Sequence, residues 1–263
     1  MKTKSLVWLA MLLFGMAVGA QAVVSPQYKL VERDIAVDGK ISDWKGIIPN
    51  VVHGSNHLWT AQQGLEAEHW QGDQDLSYRW RGAWSQGKLY FLFEVTDDKV
   101  VEGGAPLSYM CDCIEIYLDM KRQGGARVKI MDGRVNWLEK YDPKEMMGHE
   151  IHFVPGNPVR INLNHAYLYG LDKPQTDEFK KEWAGEVAYR KTEHGYLMEI
   201  GLAVPGVKLE SGKVIGVEMG VCDDDGNQRE SIMMWTGTKL NFWETMNEYG
   251  AVTLEGSNKG DAK

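Results

Sequence analysis

Short segments in which apolar and polar residues alternate recur along most of this 263-residue chain. Residues 217–222, for example, read VEMGVC, so every second side chain is apolar, as in a half-buried β-strand. Residues 223–227 (DDDGN) then turn the chain, because Gly and Asn tolerate positive φ. About ten such segments predict an all-β fold, an antiparallel, jelly-roll-like β-sandwich with long loops. A parallel α/β fold is disfavoured, because no sustained 3.6-residue pattern supplies its helices.

Turn residues bound most of the predicted strands. Gln86-Gly87 joins one hairpin and residues 193–195 join a second, whereas the polar, glycine-containing residues 50–75 read as long loops. The C-terminal strands are predicted to form an edge hairpin with an exposed aromatic in the loop that follows. The predicted strands are 35–41, 76–84, 88–96, 112–119, 151–153, 159–164, 184–190, 196–202, 231–235 and 250–254, with a hairpin at 127–130 and 133–137, a short irregular or helical piece from 42, and a helical turn at 177–183.

The N-terminus has the pattern of a secretory signal peptide over residues 1–22. Lys2 and Lys4 precede an apolar run at 6–19, and Ala20-Gln21-Ala22 supplies small residues for cleavage. The apolar run has about 14 residues where a membrane span needs about 20. We therefore expect an exported protein, secreted or periplasmic, with a single domain over residues 23–255 and a disordered polar tail over 256–263.

Charge and tryptophan content narrow the choice of partner. The formal net charge of -8 disfavours nucleic acid, because an acidic chain repels phosphates. The chain has ten Trp residues, a number that suggests stacking surfaces in addition to core packing. Trp44, Trp84 and Trp235 are assigned to the core, whereas Trp59 and Trp70 lie in polar loops that could extend a binding face. The predicted partner is an oligo- or polysaccharide, and no transmembrane segment is expected.

Five motifs occur in an order that resembles a known family. They are VDGKISDW at 37–44, AW and KLYFLFEVTD within 83–97, DCIEIYLD at 112–119, GYLMEI at 195–200 and YGAVTL at 249–254. Together they resemble the carbohydrate-binding modules of family 9, within the wider DOMON-like β-sandwiches. The resemblance covers residues 30–254, although residues 140–181 match poorly. It implies a non-catalytic module that binds glycans.

In sugar-binding members of this family two aromatic rings sandwich a terminal sugar, and polar side chains bind its hydroxyls. The resemblance places Trp243 at one sandwich position and Tyr109 at the other, where Trp is usual. Gly220 stands where an amide is expected, and Leu240 stands where Asn is expected, with Asn241 adjacent. The carbohydrate-binding residues implied are Tyr109, Glu115, Arg134, Asn136, Asn241 and Trp243.

Each of these residues also has a structural interpretation. Trp243 could instead fill the core, Glu115 could be a surface or calcium-binding carboxylate, and Arg134 could be a solvated strand residue. Members of the family bind structural calcium, and acidic turns offer the oxygen ligands that this ion prefers. The candidates for a calcium site are Asp97, Asp98 and Asp119.

The three cysteines leave pairing open in an exported protein. If Glu115 and Gly220 face each other across an antiparallel pair, the register sets Cys113 opposite Cys222, and a disulfide is predicted there, with Cys111 as the rival partner. A zinc site is not predicted, since neither His149 with His152 nor His53 with His57 belongs to a zinc motif.

The chain carries no recognisable catalytic motif. It lacks both G-x-S-x-G and HExxH, so the sequence predicts a binding protein and not an enzyme. Two alternatives stay open. One is a haem b-binding electron-transfer domain, because DOMON-like relatives use axial Met with His or Lys and Met is plentiful here; the other is an envelope adhesion or assembly module without a sugar site.

Overall fold

The computed structural model describes residues 26–59, 69–122, 124, 130–131, 134–135, 148–163, 185–203, 207–226, 228–237, 241–243 and 245–256. These residues form β-strands joined by loops and three 3₁₀ turns, at Ser42–Trp44, Ser55–His57 and Ser108–Met110. The strands are β1 Gln27–Glu32, β2 Asn50–Val52, β3 Leu76–Ser85, β4 Lys88–Asp97, β5 Cys113–Asp119, β6 Ile130–Met131, β7 Arg134–Val135, β8 Gly148–Val154, β9 Arg160–Leu163, β10 Glu186–Thr192, β11 Gly195–Ala203, β12 Val214–Asp223, β13 Ser231–Met234 and β14 Gly250–Glu255.

Twelve of the fourteen described strands form one hydrogen-bonded sheet that curls into a sandwich, and β6 pairs with β7 in a separate two-stranded sheet. The order of the larger sheet is β10-β11-β4-β3-β1-β14-β12-β5-β8-β9, with β2 added to β3 and β13 added to β12. β1 runs parallel to both β3 and β14 and so joins two halves of the sheet. The first half consists of β2, β3, β4, β10 and β11, and the second half of β5, β8, β9, β12, β13 and β14. The other pairings in the described residues are antiparallel. The predicted all-β sandwich is confirmed.

The main core lies between the two halves. Alternation sends Phe91 and Phe93 inward from β4, and Ile114 and Ile116 inward from β5, into one apolar cluster. Two aromatic contacts link the halves directly: the Tyr78 hydroxyl donates to the backbone carbonyl of Met219 at 3.1 Å, and the rings of Trp80 and Trp235 meet edge to face at 5.0 Å. Burial of this cluster accounts for most of the hydrophobic stabilisation of the sandwich.

The second half is also buried on the face that points away from the main core. The outer side chains of β5 and β12 pack in a second group, which we call the outer cluster. β12, predicted as half-buried, is therefore buried on both faces from Ile215 to Asp223, and it lies inside the sheet and not in an edge hairpin. The outer cluster consists of Trp59, Cys111, Cys113, Tyr117, Val154, Cys222, Ile232, Met234, Phe242, Met246 and Tyr249.

Residues 35–41 do not form the strand that their alternation predicts. Ile35 packs on the outside of β4, and the loop is fixed by hydrogen bonds to a buried carboxylate and not by strand pairing. Glu199 Oε2 accepts from the backbone N–H of Asp38 at 3.1 Å and of Gly39 at 2.5 Å, and its Oε1 accepts from Trp44 Nε1 at 2.6 Å. Gly39 has φ 79, a conformation that favours glycine. The alternation here reflects packing against an existing sheet.

Most of the other local predictions are confirmed. The Gln86-Gly87 turn joins β3 to β4, and residues 193–194 join β10 to β11. Trp44, Trp84 and Trp235 are buried as predicted, but Trp59, predicted on a loop surface, is buried in the outer cluster. β6 and β7 form the described part of the hairpin predicted at 127–137.

Several predictions fall outside the described residues. These are the signal peptide at 1–22, the helical turn at 177–183 and the tail from residue 257 onward. In the part of the chain that the structure describes, no helix is both long and apolar enough to span a membrane.

Glu218 is a buried carboxyl group on the outer face of β12. Burial raises its pKa to about 7, although hydrogen bonds from the Thr236 side chain and from the backbone N–H groups of Met219 and Thr236 favour the charged form. The pKa of Glu218 is higher in the folded than in the unfolded protein. The stability that the protonated carboxyl group contributes is therefore fully present below the unfolded pKa and is lost as pH rises through the folded pKa.

We predict that Glu218→Gln changes the pH dependence of stability. The amide is isosteric with the protonated acid, so the variant should gain roughly 2–3 kcal/mol relative to wild type between pH 5 and pH 8. Urea unfolding at a series of pH values measures this difference. A difference between variant and wild type that stays constant over that range would contradict the assignment.

Candidate functional site

The outer faces of β5, β8 and β12 bring the most chemically distinctive side chains together. Glu115 on β5 lies opposite His152 on β8 and opposite Gly220 on β12. Two residues before Glu115, Cys113 faces Cys222 on β12, and two residues after Glu115, Tyr117 faces Glu150 on β8. The predicted register between β5 and β12 is confirmed. These polar side chains lie next to the outer cluster and are buried.

Two buried carboxylates, a phenol and an imidazole form a hydrogen-bonded chain in this site. The Tyr117 hydroxyl lies 2.6 Å from Glu115 Oε2, to which it donates, and 3.4 Å from Glu150 Oε1. Glu150 Oε1 is 2.9 Å from His152 Nε2, and His152 Nδ1 is 2.9 Å from Ser108 Oγ. Such a network is ordered, because each of its buried polar groups has a partner. We call this buried layer of Glu115, Tyr117, Glu150 and His152 the floor of the site.

The sulfur atoms of Cys113 and Cys222 face the same carboxylate. Glu115 Oε1 lies 3.5 Å from Cys222 Sγ and 3.9 Å from Cys113 Sγ. Burial raises the pKa of both thiols above the ordinary value. All three cysteines are free thiols in the structure, so the disulfide predicted between Cys113 and Cys222 is not formed in it.

The two aromatic residues predicted to sandwich a sugar lie at the rim of this face. Tyr109 belongs to the 3₁₀ turn Ser108–Met110, and 39% of its surface is exposed. Trp243, predicted as an exposed loop residue, is half-buried, with its ring edge-on to Trp59 at 4.9 Å and to Phe242 at 5.0 Å. Both residues adjoin the buried floor, because Ser108 contacts His152 and the Phe242 ring contacts the Tyr117 ring at 5.1 Å.

Glu115, the predicted sugar-binding carboxylate, is only 1% exposed and lies beneath the rim. The apolar side chains of the outer cluster close over its strand, a consequence of tertiary packing that alternation alone does not predict. At Gly220, a side chain would meet Met234 Sδ at 2.9 Å and Ile232 Cδ1 at 3.2 Å. Here methionine and isoleucine therefore occupy the space in which the resemblance expects an amide.

The remaining predicted ligands are Asn241, Arg134 and Asn136. Asn241 is half-buried, and its backbone carbonyl accepts from the N–H of Thr245 at 3.1 Å. Arg134 pairs with Met131 in the β6–β7 ribbon through the backbone, and Asn136 lies outside the described residues. The structure thus places Tyr109 next to Ser108, which contacts His152, and Trp243 next to Phe242, which contacts Tyr117.

Sequence reasoning missed His152 and Glu150. Both point outward from β8 on alternate positions, next to the outward positions of β5. The signal was the alternation GHEIHFV at 148–154, which the turn residues PGNP at 155–158 end, but neither feature shows which distant strand β8 pairs with. Three methionines considered as haem ligands, Met233, Met234 and Met246, fill the apolar clusters.

A second group of titratable side chains lies at the ends of β4, β5 and β12. Asp97, Asp112 and Asp223 each bring a carboxylate oxygen within 4.8 Å of the others, and all three are buried. Asp98, predicted with Asp97, is exposed, and Asp119 lies apart from this group, where it accepts from the backbone N–H of Lys121 and Gly124.

The three acids are only partly satisfied by hydrogen bonds. Both oxygens of Asp112 accept from backbone N–H groups, but Asp97 Oδ2 and Asp223 Oδ1 have no partner. Burial, followed by repulsion from neighbouring carboxylates, raises the pKa of Asp112 to about 8 and that of Asp223 to about 9; burial also raises that of Asp97 to about 6. Unpartnered buried oxygens of this kind suit a hard cation.

A shallow groove crosses β3, β4 and β11 on the other half of the sandwich. Charged side chains line it, among them Arg79, Glu94 and Arg190, with Arg79 paired to Glu94 at 2.7 Å. The tyrosines beneath it, Tyr78 and Tyr196, are buried. In the described part of its lining, the groove offers no exposed aromatic ring.

Comparison with known proteins agrees with this architecture. The model of the family described as carbohydrate family 9 binding domain-like matches residues 51–152 and 158–257. This chain belongs to that family. The family match covers both sets of strands, including the Glu115 strand and the loop that carries Trp243.

Solved structures similar to this family 9 chain share its fold. A carbohydrate binding module family 9 from Caldicellulosiruptor kristjanssonii in complex with cellotriose has a TM-score of 0.61 at 16% identity, covering 90% of this chain and 97% of that one. The same TM-score, identity and coverage of this chain hold for its complex with glucose, of which 100% is covered.

A curated relative is the exoglucanase XynX of Acetivibrio thermocellus, 21% identical over 229 residues. The match covers 86% of this chain but only 17% of XynX, so the chain corresponds to a small part of that enzyme.

Proposed function

We propose that this protein is an exported, non-catalytic carbohydrate-binding protein that holds a glycan by aromatic stacking and polar side chains and supports polysaccharide recognition or degradation. The observation that carries the proposal is the family 9 match over residues 51–152 and 158–257, whose similar solved modules are complexed with cellotriose and glucose. The signal-peptide pattern at 1–22 supports export.

Stacking on the rim is the interaction that we assign to Tyr109 and Trp243. Sugar rings have apolar C–H faces that pack on aromatic rings, and Tyr109 offers an exposed ring. Trp243 is held by edge contacts with Trp59 and Phe242, so its orientation is largely fixed before a ligand binds. Such preorganisation lowers the entropy cost of binding.

The polar part of the site differs from the pattern of the family. The oxygens of Glu115 contact Tyr117, Cys113 and Cys222 beneath the rim. We assign it the role of ordering the floor, and we assign hydrogen bonding of sugar hydroxyls to Asn241, Arg134 and Asn136. Each such bond contributes only about 1 kcal/mol, because it replaces a bond with water.

We predict that Tyr109→Ala and Trp243→Ala each weaken glycan binding by about 1–3 kcal/mol. Asn241→Ala should weaken it less, since stacking dominates. Isothermal titration with glucose and cello-oligosaccharides measures the affinities. Leu107→Ala is the matched control, because this exposed apolar residue precedes the same 3₁₀ turn and should leave binding unchanged.

Two results of this titration would contradict the proposal. If the folded protein binds no member of a broad glycan panel, the adhesion or assembly alternative is favoured. If it binds a glycan with an affinity that neither aromatic substitution changes, the rim is not the binding site.

We further propose that Asp97, Asp112 and Asp223 hold a structural calcium ion. The support is the pair of unpartnered buried oxygens on Asp97 and Asp223, in a group whose members each bring a carboxylate oxygen within 4.8 Å of the others. Carboxylate oxygens are the ligands that calcium prefers, and the ion would tie the ends of β4, β5 and β12 together.

We predict that calcium stabilises the protein against unfolding and that Asp112→Asn abolishes this effect. A ligand at about 100 times its dissociation constant adds about 2.7 kcal/mol. Asp119→Asn is the matched control: its carboxylate holds a separate turn, so this variant should lose stability equally with calcium and with chelator. Thermal unfolding in calcium and in EDTA measures this effect. Equal melting temperatures of the wild type under the two conditions would contradict the proposed calcium site.

A further inference from the structure

Three potential metal ligands, Cys113, Glu115 and His152, lie close together on the buried floor, and Cys222 lies beside Glu115. Glu115 Oε1 lies 3.5 Å from Cys222 Sγ, 3.9 Å from Cys113 Sγ and 3.6 Å from His152 Nε2. The four side chains come from β5, β8 and β12, and each is at least 98% buried. The ligand atoms of Cys113, Glu115 and His152 all lie within 4.8 Å of one another.

We propose that Cys113, Cys222, Glu115 and His152 form a binding site for a divalent transition metal ion, Zn²⁺. Two sulfurs, one imidazole nitrogen and one carboxylate oxygen are a donor set that suits zinc and differs from the all-oxygen set that suits calcium. The proposal stands independently of carbohydrate binding, because none of these side chains is at the surface.

The distances around Glu115 Oε1 are close to those of tetrahedral coordination. With metal–ligand bonds of about 2.3 Å to sulfur and about 2.1 Å to nitrogen or oxygen, the edges of a tetrahedron are about 3.4–3.8 Å. The three distances from Glu115 Oε1 run from 3.5 to 3.9 Å. Cys222 lies outside the group whose ligand atoms are all within 4.8 Å of one another, so its side chain would have to turn toward the other ligands when an ion binds.

Tyr117 and Ser108 contact the ligands at atoms that would not bind the metal. Tyr117 donates to Glu115 Oε2 at 2.6 Å, which leaves Oε1 directed at the thiols. Ser108 Oγ lies 2.9 Å from His152 Nδ1, so a proton on Nδ1 would leave the lone pair of Nε2 for the ion, which would then replace the 2.9 Å contact between Nε2 and Glu150 Oε1. Partners of this kind orient metal ligands and strengthen binding.

Charge also favours an ion at this point. Glu115 and Glu150 both lie close to His152 Nε2, at 3.6 and 2.9 Å, and thiols are weak donors for a buried carboxylate. Two thiolates, a carboxylate and Zn²⁺ together carry one negative charge. Arg229 Nη1, 4.0 Å from Cys222 Sγ, is placed to offset that charge.

The sequence does not reveal this site, because its ligands are spread over residues 113–222 and only strand pairing brings them together. The state that competes with it is the disulfide predicted between Cys113 and Cys222. A disulfide and a zinc site both require the register that places Cys113 opposite Cys222. The two states are therefore distinguished by measuring the oxidation state of the thiols and their bound metal.

The experiment measures metal binding by the mature chain after reduction and removal of metal. Addition of Zn²⁺, followed by gel filtration and elemental analysis, should retain one zinc ion per chain. Co²⁺ in place of Zn²⁺ should give thiolate charge-transfer bands and the visible bands of a tetrahedral ion. No sugar is present, so failure here leaves the carbohydrate proposal intact, and failure of sugar binding leaves this one intact.

Three variants locate the ion. Cys222→Ser and His152→Gln should each weaken zinc binding at least about tenfold in competition with a chromophoric chelator. Cys111→Ser is the matched control, because this buried thiol belongs to the same apolar cluster but donates to the backbone carbonyl of Ser108 at 3.2 Å. It should retain wild-type affinity, and circular dichroism should show that all three variants are folded.

The proposal is overturned if the folded, reduced protein retains no zinc. It is also overturned if Cys111→Ser lowers the affinity as much as Cys222→Ser, or if mass spectrometry finds a Cys113–Cys222 disulfide in the protein isolated after export.

Discussion

The ladder between β5 and β12 is the constraint on which the rest of the structure depends. Its inward side chains, such as Ile116 and Met219, close the main core, while its outward side chains carry the polar and thiol groups of the candidate site. Because the pairing register sets both faces at once, a slip by one residue would exchange them. The apolar outer cluster covers the outward face, so chemistry that alternation alone assigns to the surface is buried.

The sequence predicts the sandwich and most of its strands, because alternation and turn residues are local signals; β3 with β4 and β10 with β11 are clear examples. The register of β5 with β12 is only a condition of the predicted Cys113–Cys222 pair, and it is the register observed. The sequence does not predict the burial of Trp59 and Glu115, since both depend on which distant segments cover the sheet. The strand predicted at residues 35–41 is wrong for a related reason. The apolar residues of this segment pack on the outside of the sheet, and Glu199 accepts hydrogen bonds from its backbone. His152 and the grouping of Asp97 with Asp112 and Asp223 likewise arise only when separate strands meet.

The resulting arrangement separates the roles of neighbouring side chains. Tyr109 and Trp243 at the rim offer ring surface, while Glu115, Tyr117 and His152 beneath them form a fixed floor. Because the floor is held by its own hydrogen bonds, a glycan could bind at the rim without rearrangement of the side chains beneath it. The smaller loss of conformational entropy favours binding by stacking. In the acidic group at the ends of β4, β5 and β12, Asp112 precedes Cys113 and Asp223 follows Cys222, so alternation directs these two carboxylates away from the face that carries the Glu115 floor. An ion bound there would stabilise the scaffold from the other face of the sheet.

Chemical-shift mapping by NMR tests the central claim, that the glycan binds at this rim, most directly. Titration of the isotope-labelled chain from residue 23 onward with cellotriose should shift the backbone amides of residues 108–110 and 241–243 and the indole N–H of Trp243. Shifts confined to the groove over β3, β4 and β11, near Arg79 and Glu94, would contradict the account and place the site on the opposite half of the sandwich.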